Sequence, residues 1–181
     1  MKIISLAVLF AASAIAQNSS VAATQSACGP SEAEFKIKTT SNQSAGQEPA
    51  AGKALVYVVE KQKFKAVNDV TARVGLDGTW VGANRGNSYL SFAVDPGEHH
   101  LCTDWISSFL PGGRLVSLIS LNAEAGKVYF FRARTTGGPG SVMDGRLQMA
   151  DGASIDLVAV DPDEGKMLVA SSVLSVSHPK K

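Results

Sequence analysis

The sequence predicts a mainly β protein: a single antiparallel β-sandwich with one short helix near its C-terminal end. Three observations carry that expectation. Short runs rich in β-branched and aromatic residues recur roughly every 8–12 residues. Gly, Pro and Asp punctuate nearly every gap between them, as in "LDGTW", "NRGNS" and "VDPGE". A single stretch, "DPDEGKMLVASS", has the chemistry of a helix start.

The first residues stand outside that pattern. "MKIISLAVLFAASAIAQ" places one charge, Lys2, before an apolar run and then small residues. That order predicts a secretory signal peptide over 1–16, cleaved after Ala14-Ile15-Ala16, with cleavage after Ala23 as the alternative. The apolar run is shorter than the ~20 residues that span a bilayer. A lipid anchor on Cys28 is not expected, because Gln25 stands where a lipobox has a large aliphatic residue. Residues 17–27, rich in Ser, Ala, Gln and Thr, read as a flexible N-terminus.

From residue 28 the elements follow in order. "AEFKIKT" (33–39) alternates and reads as a short edge strand, and 41–52 is a loop by composition. "ALVYVVE" is apolar on both strand faces, which predicts a central strand. "KQKFKAVNDV" is a polar excursion. Asp77-Gly78 suits a tight hairpin between "ARVGL" and "TWVG", and Arg85-Gly86-Asn87 turns into "SYLSFAV". Asp95-Pro96-Gly97 is the next reversal. "RLVSLISLNA" and "KVYFFRAR" flank Glu124-Ala125-Gly126 as a hairpin-like pair, "TTGGPGSVMDG" reads as a flexible loop, and "ASIDLVAV" as the final strand. Asp161 is placed to cap a helix with Pro162 at its first position and Glu164 at capping-box spacing, although Gly165 disfavours it. Residues 28–176 thus form one β-sandwich domain, and 177–181 a basic tail.

Charge excludes one class of partner. With 17 basic and 16 acidic residues the chain has no electrostatic footprint for nucleic acid. No integral membrane span is expected either. Cys28 and Cys102 are an even pair in an exported chain, which predicts a disulfide.

The stretch "DPGEHHLC" (95–102) concentrates the candidate chemistry. On an extended strand His99 and Leu101 face one way while Glu98, His100 and Cys102 face the other, so the adjacent histidines do not converge on one ion. Glu98 and His100, with Asp104 on the same face, are the metal or acid–base candidates, and Cys28 and Cys102 could join them only as free thiols. The balance favours no metal, no cofactor and no catalytic residue. "GNSYL" lacks the last glycine of a nucleophile elbow, "TTGGPGS" lacks a phosphate-loop lysine, and "DPDEG" lacks calcium-ligand spacing. Aromatic residues in the strands read as core. Trp105, Phe109 and Leu110, in "DWISSFLPGG", form the candidate partner surface.

In "RVGLDGTWVGANRGNSYLSFAVDPGEHHLC" and "LNAEAGKVYFFRAR" the chain resembles the bacterial family catalogued as Domain of Unknown Function 2846. The shared features are an "ALVYV" strand, a "DG…VG" hairpin, an aromatic "SY" strand, a "PGEH" turn and an "AEAGK" turn. The resemblance runs over about Cys28 to Ser171 and implies a small exported β-rich protein, often lipid-anchored in that family, with no catalytic residues to carry over. The PGEH turn is distantly similar to PEGA-type and carboxypeptidase-regulatory-like β-sandwich modules, which is a likeness of fold alone. The expectation is therefore a periplasmic or secreted, non-enzymatic module of the bacterial cell envelope that binds an envelope protein or a glycan. The alternative is an exported hydrolase or metal-dependent enzyme using Glu98 and His100.

Overall fold

The computed structural model describes residues 28–41, 46–61, 71–106, 114–136, 139–143, 146–149 and 154–180. The expected signal peptide, the flexible 17–27 segment, most of the polar excursion after Lys61, and both Phe109 and Leu110 lie outside these residues. The strands, in chain order, are β1 (Phe35–Thr40), β2 (Ala54–Glu60), β3 (Thr71–Leu76), β4 (Thr79–Arg85), β5 (Ser88–Val94) and β6 (Gly97–Ile106). They continue with β7 (Arg114–Ala123), β8 (Val128–Thr136), β9 (Pro139–Met143), β10 (Arg146–Met149) and β11 (Ser154–Val160). The helix α1 (Pro162–Ala170) and a last strand β12 (Val173–Pro179) complete the order.

Two sheets pack face to face. The larger runs β1-β12-β5-β2-β8-β11 and the smaller β4-β3-β6-β7, while β9 and β10 pair by themselves. Among the described residues this is the expected β-sandwich with one short helix, and its larger sheet is mixed: β2 runs parallel to β8, and β12 parallel to β5. Between the sheets, Val56, Val58, Leu90, Leu101, Trp105, Phe131 and Leu157 form the main core.

The β2 strand explains its own composition. All seven residues are buried because both of its faces are covered. Ala54, Val56 and Val58 point into the main core, whereas Leu55, Tyr57 and Val59 point outward into a second cluster beneath α1. A half-solvated strand would alternate apolar and polar residues instead.

Local turn chemistry held, but pairing did not always follow it. Asp77 and Gly78 have φ values of 49° and 79°, and β3 and β4 form the expected hairpin around them. The Glu124-Ala125-Gly126 turn, by contrast, is not a hairpin. It carries the chain from β7 in the smaller sheet to β8 in the larger. Tyr129 pins that crossing, its hydroxyl accepting from Glu124 N at 3.0 Å and donating to Asn122 O at 3.2 Å. The Asp95-Pro96-Gly97 and Arg85-Gly86-Asn87 turns likewise cross between sheets. Turn residues set a reversal of direction; the next strand pairs wherever its apolar face is buried.

Three further corrections concern the C-terminal half. The segment read as a loop after Thr136 holds the β9–β10 pair. The β11 strand is not the last, since β12 follows α1 and antiparallel β1 pairs with it from Phe35↔Pro179 to Thr40↔Leu174. Ser177, His178 and Pro179, placed by sequence in a basic tail, are therefore strand residues. Serines seal the corner there: Ser175 Oγ donates to Ala83 O at 2.7 Å, and Ala83 N donates to Ser177 Oγ at 3.0 Å.

The helix starts as its sequence predicts. Asp161 Oδ1 accepts from the backbone N–H groups of Asp163 and Glu164, both at 3.0 Å, with Pro162 opening the first turn. Among the described residues no helix is long and apolar enough to cross a membrane.

Candidate functional site

The outer face of each sheet is partly covered, by different means, and the candidate site lies beside one of the covers.

Over the smaller sheet the cover is the segment from Cys28 to Ala33. Cys28 and Cys102 form the expected disulfide, with Cα atoms 5.1 Å apart and both residues completely buried. The backbone of Cys28 lies directly on Gly75, where any Cβ would overlap it. The β3–β4 register shifts at the same place, between Val74 and Gly75. Beneath the segment Arg73 is ion-paired with Asp104, the two side chains being 1% and 0% exposed. The same guanidinium donates to Ser31 O at 2.8 Å and Ala33 O at 2.6 Å, and lies 4.3 Å from the centre of the Trp80 ring. Trp80 Nε1 in turn donates to Pro30 O at 2.7 Å. A buried charge is tolerable when it is paired and hydrogen-bonded in this way.

This arrangement disperses the residues the sequence grouped as candidate chemistry. Glu98, His100, Cys102 and Asp104 do share one side of β6, as the strand period requires. Glu98 and His100 are exposed there, His100 at 59%. Cys102 is consumed by the disulfide, and Asp104 is bound to Arg73. Among the described residues no three His, Cys, Asp or Glu side chains gather as a metal site. Ser88 is fully buried, its hydroxyl accepting from Arg85 N at 3.0 Å. Trp105, expected on a partner surface, is instead 2% exposed in the main core, because it shares the inward face of β6 with Leu101.

His99 takes the opposite side of β6 and makes a latch. Its Nδ1 lies 2.6 Å from Asp77 Oδ2 and its Nε2 lies 2.8 Å from Asp95 O. Asp77 Oδ1 also accepts from His100 N at 2.7 Å. The Asp77 carboxylate raises the His99 pKa above its ordinary value, against a smaller opposing effect of burial. Burial alone would raise the Asp77 pKa, but the hydrogen bonds from His99 and the His100 backbone outweigh it and hold the carboxyl below its usual range.

Over the larger sheet the cover is α1, and here the fit is incomplete. Gly165 is buried against Phe130, whose ring a Cβ at that position would overlap, so the glycine that disfavours the helix is what lets it approach the sheet. Leu168 and Val169 then reach Leu55, Tyr57, Val59 and Phe130. Arg132 Nη1 holds Glu164 Oε1 at 2.6 Å beside the first turn. Beside this contact a cavity of about 530 Å³ remains, lined by Gly46, Gln47, Tyr57, Val128, Phe130, Pro162, Lys166, Val169 and Ala170. Its floor is the Tyr57–Phe130 pair, stacked at 5.1 Å between ring centres and 11° between planes. Burial raises the Tyr57 pKa, partly opposed by a hydrogen bond from the Gln47 backbone. The tyrosine therefore presents a neutral hydroxyl whose oxygen accepts from the Gln47 backbone.

A cavity of this size falls within the ~300–1,000 Å³ of small-molecule sites, which are concave, mostly apolar and carry few polar groups. Sequence reasoning missed Tyr57, Phe130, Lys166 and Val169 as a group. The available sign was that β2 is apolar on both faces, which requires a cover on each, and that among the described residues one helix is present to supply the second. Comparison with protein-family models, with curated proteins and with solved structures gives no match for this chain.

Proposed function

We propose that this is an exported, non-enzymatic β-sandwich module of the bacterial cell envelope that binds an apolar ligand beneath α1. The observation that carries the reading is the 530 Å³ cavity between α1, β2 and β8, with its aromatic floor and aliphatic walls. A disulfide buried under the first described residues suits an oxidising compartment. The enzymatic alternative loses its basis in geometry, since Asp104 is committed to Arg73 while Glu98 and His100 stand exposed. Of the two partner classes expected, a glycan fits this lining poorly, because its hydroxyls would meet Val128, Phe130, Pro162 and Val169.

The test is an NMR titration of the purified protein with decanol, a neutral apolar probe. Amide shifts should concentrate at Tyr57, Phe130 and Val169 and saturate. The variant Val169→Trp, which fills the cavity, should lose them while keeping its native spectrum elsewhere. Saturable shifts confined to another face, or none at all, overturn the reading.

A further inference from the structure

We propose that the ligand of this cavity is a monomeric acyl carboxylate, its chain against Phe130, Val128 and Val169 and its carboxylate at the mouth beside Lys166. The inference rests on the reading of the cavity as the binding site, and it adds the ligand's chemical class. Two features of the lining carry it.

The first is the character of the interior. Val128, Phe130, Pro162, Val169 and Ala170 supply aliphatic and aromatic surface with no side-chain hydrogen-bonding group. The Tyr57 hydroxyl is engaged by the Gln47 backbone. Tyr57, Gln47 and Lys166 are the few polar side chains beside this apolar surface, so the part of a ligand that lies on it is hydrocarbon.

The second is the charge at the mouth. Among the described lining residues, Lys166 is the one charged side chain. Its partner on the helix, Asp163 Oδ1, is 3.9 Å from Nζ, and the two side chains are 70% and 98% exposed, so the cation is weakly held. Glu164, the other carboxylate of that turn, is bound by Arg132. Several carbonyls at the C-terminal end of α1, a source of negative potential, already accept hydrogen bonds. Ser171 N donates to Met167 O at 3.1 Å, Ser172 Oγ to Leu168 O at 2.7 Å, and Lys61 Nζ to Ser171 O at 2.9 Å. What is left facing a ligand's head is a mobile ammonium, which favours an anion.

Decanol, decanoate and decyltrimethylammonium, each as monomer at pH 7, present one chain with three head charges. Calorimetric titration of the protein should rank decanoate first, roughly two- to fivefold tighter than decanol, as expected for a partly exposed ion pair, and decyltrimethylammonium last. In Lys166→Glu the order of the two ions should invert with decanol little changed. Lys36→Glu, the same charge change at the opposite edge of the larger sheet, should leave the order intact. If decanol binds under α1 but decanoate gains nothing, or if Lys36→Glu shifts the order as much as Lys166→Glu, the carboxylate assignment fails and the apolar-site reading stands. If decanol does not bind there, both fail together.

Discussion

The two outer faces of the sandwich each carry a partial cover, and the two covers differ in character. Over the smaller sheet an irregular segment lies backbone against backbone on Gly75, held by a disulfide, an aromatic contact and three hydrogen bonds to its carbonyls. Over the larger sheet a helix lies side chain against side chain, brought close at one point by Gly165 and standing off beside it. The first cover encloses a buried ion pair, and beside the second lies an open, mostly apolar cavity. The difference follows from what each face must tolerate. A buried charge needs close partners, which Asp104 and the Ser31 and Ala33 carbonyls supply to Arg73 and which hold that segment tight. An apolar face tolerates a gap, losing contacts without an unpaired charge or donor. Space for a ligand is therefore found under the cover that carries no charge in its core.

The sharpest way to break this comparison is to remove one partner of the buried pair. Arg73→Met leaves Asp104 buried without its counter-charge and removes both hydrogen bonds to the cover. The expected loss is about 3–5 kcal/mol in urea unfolding. Arg73→Met combined with Asp104→Leu should recover much of it, because two apolar residues of similar volume replace a satisfied pair at little net cost. A single-variant loss below ~1 kcal/mol would show that water reaches Asp104 and that the cover is not a seal.

Removing the covalent tie comes next. The disulfide closes a sequence separation of 74 residues. In the chain-entropy model its loss in Cys28→Ser, Cys102→Ser costs about 4 kcal/mol, an upper figure. Hydrogen exchange should then rise first in Arg73 and Trp80, beneath the freed cover, while Tyr57 and Phe130 stay protected. Equal loosening under α1 would mean that the two covers are coupled rather than independent.

A smaller effect is expected on the other face. Gly165→Ala gains about 1 kcal/mol of helix propensity but sets a methyl group against the Phe130 ring. Overpacking typically costs 1–3 kcal/mol, so a net loss of about 0–2 kcal/mol is expected. Because α1 must lift, decanol affinity should change with stability. Unchanged affinity would place the binding site away from the helix.

Much of this architecture is legible in the residues where one short-range rule decides the outcome. Asp161-Pro162 marks the start of α1, Asp77-Gly78 fixes the β3–β4 hairpin, and the all-apolar β2 declares a central strand. What was not legible depends on which surfaces meet. The same turn chemistry serves a hairpin at Asp77-Gly78 and a crossing between sheets at Glu124-Ala125-Gly126. The β12 strand was hidden because its role at the corner rests on the hydroxyls of Ser175 and Ser177, which by composition look like surface. Gly165 illustrates the limit most plainly. Read locally it weakens a helix, and only the position of Phe130, 35 residues earlier by number (165 − 130), gives it a purpose. The cavity is a property of that approach, so no motif announces it.

The smallest expected effect concerns neither cover but the latch that joins two turns at one end of the sandwich. Both ring nitrogens of His99 face acceptors, the Asp77 carboxylate and the Asp95 carbonyl. Only the imidazolium donates to both. Around it, His100 Nδ1 lies 4.0 Å from Asp77 Oδ1, and the Asp95 carboxylate is taken by Lys53 at 2.6 Å. Since the folded pKa of His99 is raised, its contribution is complete below the ordinary histidine value, about 6.5, and is lost as pH rises through the folded value. Since that of Asp77 is lowered, its contribution is complete above the ordinary aspartate value, about 3.9, and is lost as pH falls through the folded value. The latch is thus at full strength between those two ordinary values. His99→Gln should cost about 0.2–1 kcal/mol at pH 5.5, the range for a partly exposed ion pair, and distinctly less at pH 9. A cost that stays constant across that interval would mean that His99 is held neutral, with one of its two contacts made by a lone pair facing a lone pair.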